Sequence, residues 1–117
     1  MNRAIQRSMK HHEICPLDTT LEILSGKWKS VILCRLMAKN LHFNELHRFM
    51  SMCSKRMLAI QLKQLVSDDI VKKNILITNE SQITIIYSLT SLGESLVPII
   101  RQMDTWGEKY IKIENQN

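Results

Sequence analysis

The chain has 117 residues and a formal net charge of +5, which is one domain's worth of sequence with a modest core. With 44% hydrophobic and 23% charged residues, three glycines and two prolines, it is not a disordered, low-complexity or repetitive chain. The opening "MNRAIQRSMKHHEICP" holds Arg3, Arg7 and Lys10 but no continuous apolar stretch, so a cytoplasmic protein without a signal peptide or membrane association is expected.

Residues 1–14 are expected to form an N-terminal extension, either mobile or helical, before a single domain over 15–113 and a tail over 114–117. "LDTTLEILSG" places Leu17, Leu21 and Leu24 on one helical face, with Gly26 available to end the helix. A second helix is predicted from Lys27 to Met37, with Trp28, Val31, Ile32 and Leu36 inward. "HFNELHRFM" offers Phe43, Leu46 and Met50 at helical spacing, and Asn44 is a candidate N-cap.

The next stretch, "SKRMLAIQLKQL", begins with Ser54 as an N-cap candidate. Leu58, Leu62 and Leu65 fall at i, i+4 and i+7 and form a narrow inner stripe. Arg56, Ile60, Lys63 and Ser67 lie opposite, with Lys55 and Ala59 flanking. Beyond Asp68 and Asp69 the period changes to two. Ile83, Ile85, Tyr87 and Leu89 alternate as in a strand with one buried face, Ile70 to Ile77 can be its partner, and "TNESQ" is the turn.

Thr90 can cap a last helix whose apolar residues Leu92, Leu96, Ile99, Met103, Trp106, Tyr110 and Ile113 follow heptad-like steps. Such a seam exceeds what a small core requires and suggests a second copy of the chain as partner. Pro98 should bend this helix.

The order helix, helix, helix, helix, hairpin, helix is the layout of a winged helix-turn-helix: an α+β, mainly α fold with a two-stranded β-hairpin wing and a terminal dimerisation helix. In that motif the second helix of the pair enters the major groove. Phe43 to Phe49 would be the supporting helix and Ser54 to Ser67 the recognition helix. The charge is placed accordingly: Lys27 to Lys73 hold ten Lys/Arg against three acids, the remainder six against eight. A regional basic face is the footprint of a polyanion partner, and alternatively a solvated surface.

The segments "CPLDTTLEILSGKWKSVIL", "HFNEL", "SKRMLAIQLKQL", "DDIVKK" and "YSLTSLGESLVPII…WGEKY" resemble the HxlR-type transcriptional regulators, winged-helix relatives of the MarR group. The resemblance implies a homodimer, joined largely through terminal helices, that binds operator double-stranded DNA and more often represses than activates. It runs from Cys15 to about Tyr110. The chain departs from the pattern at three places: the wing "NILITNESQITIIYS" lacks a Pro-Pro pair, Asp69 stands where a glycine is usual, and Ala59-Ile60 replace Thr-Gln.

Candidate DNA-contacting residues are therefore Ser54, Lys55, Arg56, Ala59, Ile60 and Lys63 on the recognition helix, Lys72 and Lys73 at the base of the wing, and Lys27 and Lys29 beside Trp28. Arg56 is the candidate for a bidentate guanine contact, while Ala59 and Ile60 can only touch thymine methyls or sugars. Each cation is equally a candidate for a phosphate contact. Gln61 and Gln64 are ambiguous. Leu92, Leu96, Ile99, Met103, Trp106 and Tyr110 are the candidate dimer interface.

Cys15, Cys34 and Cys53 are odd in number and lack zinc spacing, so free thiols are expected, with no structural metal and no cofactor. Cys15 precedes Pro16 at a helix start, where amide donors can lower a thiol pKa. It also matches a position at which some HxlR-type proteins sense oxidants or electrophiles; a structural role is the alternative. Cys34 is expected in the core, and Cys53, beside two cations, is a weaker redox candidate. His11, His12, Glu13 and Cys15 are metal-ligand types, but adjacent histidines in an uncapped tail read as solvated. With no Gly-rich phosphate loop, paired acid set or nucleophile with an evident base, an enzyme is not expected. The competing function is a winged-helix protein-interaction module without specific DNA binding.

Overall fold

A computed structural model describes residues 2–10 and 13–116, so His11 and His12 lie outside the described residues. The elements, in order, are α1 (Arg3–Ser8), α2 (Pro16–Leu24), α3 (Lys29–Ala38), β1 (Leu41–His42), α4 (Phe43–Phe49), α5 (Lys55–Ser67), β2 (Val71–Asn79), β3 (Gln82–Leu89), α6 (Ser91–Ser95) and α7 (Val97–Asn115). The wing is one strand richer than expected. β1 joins it to make a three-stranded antiparallel sheet in the order β1-β3-β2, with Leu41 opposite Tyr87 and Val71 opposite Leu89. Two residues are too few to produce a period, which is why β1 leaves no sequence signal.

The core is built where α3, α4 and α5 meet the base of the sheet. Ile32, Leu33, Leu36, Leu46, Met50, Leu58, Leu62 and Leu65 are buried there with Leu41, Ile70, Val71, Tyr87 and Leu89. On α5 the three leucines of the predicted stripe are each at most 1% exposed. The sheet is buried only at its base. Ile83, expected inside, is 69% exposed because the hairpin runs past the helices that cover Tyr87 and Leu89.

Local chemistry sets most boundaries. Ser54 caps α5 by accepting from Met57 N at 3.0 Å. Thr90 Oγ1 accepts from Gly93 N at 2.9 Å and donates to the Asp69 carbonyl at 2.6 Å, tying α6 to the loop that follows α5. Gly93 is required there, since any side chain would collide with the Ile70 carbonyl. Asp69 adopts φ 63°, the left-handed conformation that its short polar side chain tolerates. The predicted cap of α4 is corrected: the N-cap is His42, not Asn44, and Glu45 Oε1 accepts from the His42 backbone N–H at 2.9 Å in a capping box. That bond holds the Glu45 carboxyl below its ordinary value.

Two further expectations change. Leu17 and Leu21 are 65% and 45% exposed and α2 has no fully buried residue; only its C-terminal end, at Ile23 and Leu24, packs against the core. The terminal helix is divided at Leu96, with Pro98 in the first turn of α7, where its missing N–H breaks no intrahelical bond. Leu96 packs on the core with Val97 and Ile100. Of the predicted seam, Leu92 on α6 and Ile99, Met103, Trp106, Tyr110 and Ile113 on α7 are all exposed. No described helix is long and apolar enough to cross a membrane.

Candidate nucleic-acid interface

The turn between α4 and α5 is held from both sides. Cys53 N donates to the Met50 carbonyl at 2.8 Å, and a His47 ring nitrogen lies 2.9 Å from the Cys53 carbonyl oxygen. Behind it, Leu46, Met50, Cys53 and Leu58 are at most 2% exposed. The helix that follows is therefore placed by buried apolar contacts and its outer face is left exposed.

That face carries Lys55, Arg56, Ala59, Ile60 and Lys63, all exposed, with Ser54 also exposed at its start. Lys72 and Lys73 are exposed at the base of β2. A cleft of about 460 Å³ lined by Ala59, Lys63, Val66, Lys73 and Tyr87 brings the wing base and the helix together. Among the described residues the ion pairs involve Arg7, Lys10 and His42, and none uses Lys55, Arg56, Lys63, Lys72 or Lys73. Cations on a rigid, convex helix without internal counter-ions are what a polyanion requires.

The two lysines before α3 separate. Lys27 is exposed with its ammonium 5.6 Å from the Trp28 ring centre. Lys29, a candidate DNA contact, is corrected: it is 2% exposed. Its side chain runs beside Gly26, as does Gln61 Oε1, so Gln61 also points inward. Burial pushes the Lys29 ammonium below its ordinary pKa, helped by the Arg7 charge and opposed by Asp68 and Glu22. A sequence signal existed, since Lys29 lies at i to Ile32, Leu33 and Leu36 at i+3, i+4 and i+7.

The cysteines also sort differently from expectation. Cys15 is exposed at the N-cap of α2 and its thiol makes no capping bond. Cys34 is exposed, not core, because it lies across α3 from the Ile32–Leu36 stripe. Cys53 is buried, and burial pushes its thiol pKa up although the Lys27 charge opposes this; the adjacent cations do not activate it. No group of three or more metal-ligand side chains is assembled among the described residues.

Sequence spacing did not reveal one ionic cluster. Arg7 of α1 donates to Asp68 Oδ2 at 2.9 Å and to Glu22 Oε1 at 2.8 Å, and the Asp68 side chain is 1% exposed. Asp68 is the C-cap of α5, so the N-terminal segment grips the end of the candidate recognition helix.

A helix-turn-helix with a β-wing and an exposed basic face on its second helix defines the winged-helix class. Within it, the family model described as HxlR-like helix-turn-helix matches residues 23–115, and the chain belongs to that family. It is 37% identical over 106 residues to YdeP of Bacillus subtilis, an uncharacterized HTH-type transcriptional regulator, covering 91% of this chain and 81% of YdeP. Among solved structures it is similar to the redox regulator HypR in its reduced form (TM-score 0.80, 32% identity, covering 88% of this chain and 100% of that one). It is also similar to the reduced transcriptional regulator YodB from B. subtilis (TM-score 0.74, 29% identity, covering 84% and 95%).

Proposed function

We propose that the chain is a cytoplasmic, sequence-specific DNA-binding transcriptional regulator that acts as a homodimer on operator DNA, as a repressor. The observation that carries this is the exposed face of α5, whose cations have no counter-ion among the described residues while its opposite face is locked into the core. Arg56 reads a guanine through its two-pronged guanidinium, while Lys55, Lys63, Lys72 and Lys73 meet phosphates. Ala59 and Ile60 supply apolar contacts in place of amide readout, so the operator favours thymine methyls opposite them. Residues 15–113 make up the winged helix-turn-helix domain with its dimerisation helix, and no catalytic role is assigned to any residue.

The homodimer is supported by the free seam of α7. Ile99, Met103, Trp106, Tyr110 and Ile113 are each 45–66% exposed, and Trp106 stacks on Tyr110 with ring centres 5.4 Å apart. An isolated helix with no buried residue gains little from its own propensity, so this one needs a partner surface. Exposure of Cys15 at the start of α2 supports a thiol-sensing role in which an oxidant or electrophile changes DNA affinity.

A specific feature favours a second reading. Ile75, Ile77 and Ile83 are 60–76% exposed on the wing, whose turn offers Glu80 and no cation, as a protein-interaction module would have. A gel-shift titration with duplex from beside its own gene and with unrelated duplex, at two salt concentrations, separates the two. The regulator gives selective binding that weakens steeply with salt; an absence of selectivity at either salt supports the interaction module. Cys15→Ser should abolish any loss of binding caused by diamide, and persistence of that loss excludes Cys15 as the sensor.

A further inference from the structure

The N-terminal helix is not a detached extension. Asn2 caps α1 through Ile5 N at 2.9 Å, Ala4 is fully buried, and Ser8 Oγ lies 2.9 Å from Thr19 Oγ1 of α2. Arg7 then fixes α1 to the end of α5 through Asp68. As a result α1 runs beside the outer face of α5. A groove of about 620 Å³ separates them, with Arg3, Gln6 and Arg7 on one wall and Ile60, Lys63 and Ser67 on the other.

The two arginines on α1 are one turn apart and share a face, but their situations differ. Arg7 is occupied by Glu22 and Asp68, whereas Arg3 is exposed and makes no ion pair among the described residues. A helix with its side chains is about 10–12 Å across and fills a major groove about 12 Å wide. With α5 in the groove there is no room for a second helix beside it. A helix flanking the outer face of α5 must instead ride over the groove's wall, which is the sugar–phosphate backbone.

We infer that α1 is a second DNA-contacting element, in which Arg3 binds a backbone phosphate next to the recognition helix and Arg7 is the positioning residue that holds it there. This rests on the DNA-binding reading above. Arg3 adds affinity without adding sequence information, because phosphates are alike along the duplex.

The test is fluorescence anisotropy with the selected duplex and an unrelated duplex over a series of salt concentrations. Arg3→Ala should lower the slope of log affinity against log salt by about 0.9 per protomer, about 1.8 for the bound dimer, since each subunit gives up the release of one counter-ion, and leave the preference between duplexes unchanged. Arg3→Lys should retain the slope. Arg7→Gln should lose the same increment, with no further loss in the double variant, since both act through one contact. Circular dichroism checks that each variant is folded. An unchanged slope in Arg3→Ala with selective wild-type binding overturns this inference alone. Tighter binding by Arg3→Ala also overturns it and makes α1 an obstruction. A wild-type chain that binds no duplex overturns both this inference and the DNA-binding reading.

Discussion

Replacing Arg7 by Ala should destabilise the fold by about 2 kcal/mol. Breaking a buried pair by removing one partner typically costs about 3–5 kcal/mol, because the other charge is left without compensation. Here the stranded group would be Asp68, whose side chain is 1% exposed. The full figure is too large, because the Arg7 side chain is 27% exposed and water can enter where it was. Its second partner, Glu22, is 30% exposed, and such contacts are worth under about 1 kcal/mol. For a domain of this size 2 kcal/mol corresponds to a fall of about 8 °C in Tm. Thermal and urea unfolding at one protein concentration would measure it, since association shifts apparent stability. The paired variant Arg7→Met with Asp68→Leu removes both charges and should recover most of the loss. A single-variant loss below about 0.5 kcal/mol, or a double variant as unstable as the two singles summed, would mean that Asp68 is not left uncompensated when Arg7 is removed.

Trp106→Glu should give monomers in sedimentation velocity, because it places a charge in the exposed seam of α7; a dimer that survives would move the interface elsewhere. Native-state alkylation followed by mass spectrometry should modify Cys15 and Cys34 and spare Cys53 until urea unfolds the chain, and equal labelling of all three would contradict the burial of Cys53. For Lys29 the folded state holds its proton less tightly than the unfolded state, so stability rises with pH between the lowered native value and the ordinary 10.5. Lys29→Met should therefore flatten that rise and add on the order of 1 kcal/mol at neutral pH. A net loss at neutral pH would mean that the Lys29 ammonium is a required counter-ion for Asp68.

Legibility in the sequence followed the range of the interaction. The Ser54 cap and the Leu58–Leu62–Leu65 stripe depend on neighbours within two turns, and both are present as expected. The motif Ser-Leu-Thr-x-x-Gly was readable as a family mark, and its physical content is the Thr90 cap and the close passage of Gly93 past Ile70. What failed depended on which elements meet. Leu17 and Leu21 have the right period, but of their predicted face only Leu24 reaches the core. Lys29 has an inward period that its charge concealed. The Arg7–Asp68 pair joins residues 61 positions apart, a separation at which no local pattern operates.

Sequence reading by the outer face of α5 is tested by competition between selected and unrelated duplex for the wild type and for Arg56→Ala. The variant should lose about 1–3 kcal/mol of discrimination, roughly 5- to 150-fold in the affinity ratio, while remaining a dimer. An Arg56→Ala protein that keeps the wild-type ratio would contradict sequence reading by that face.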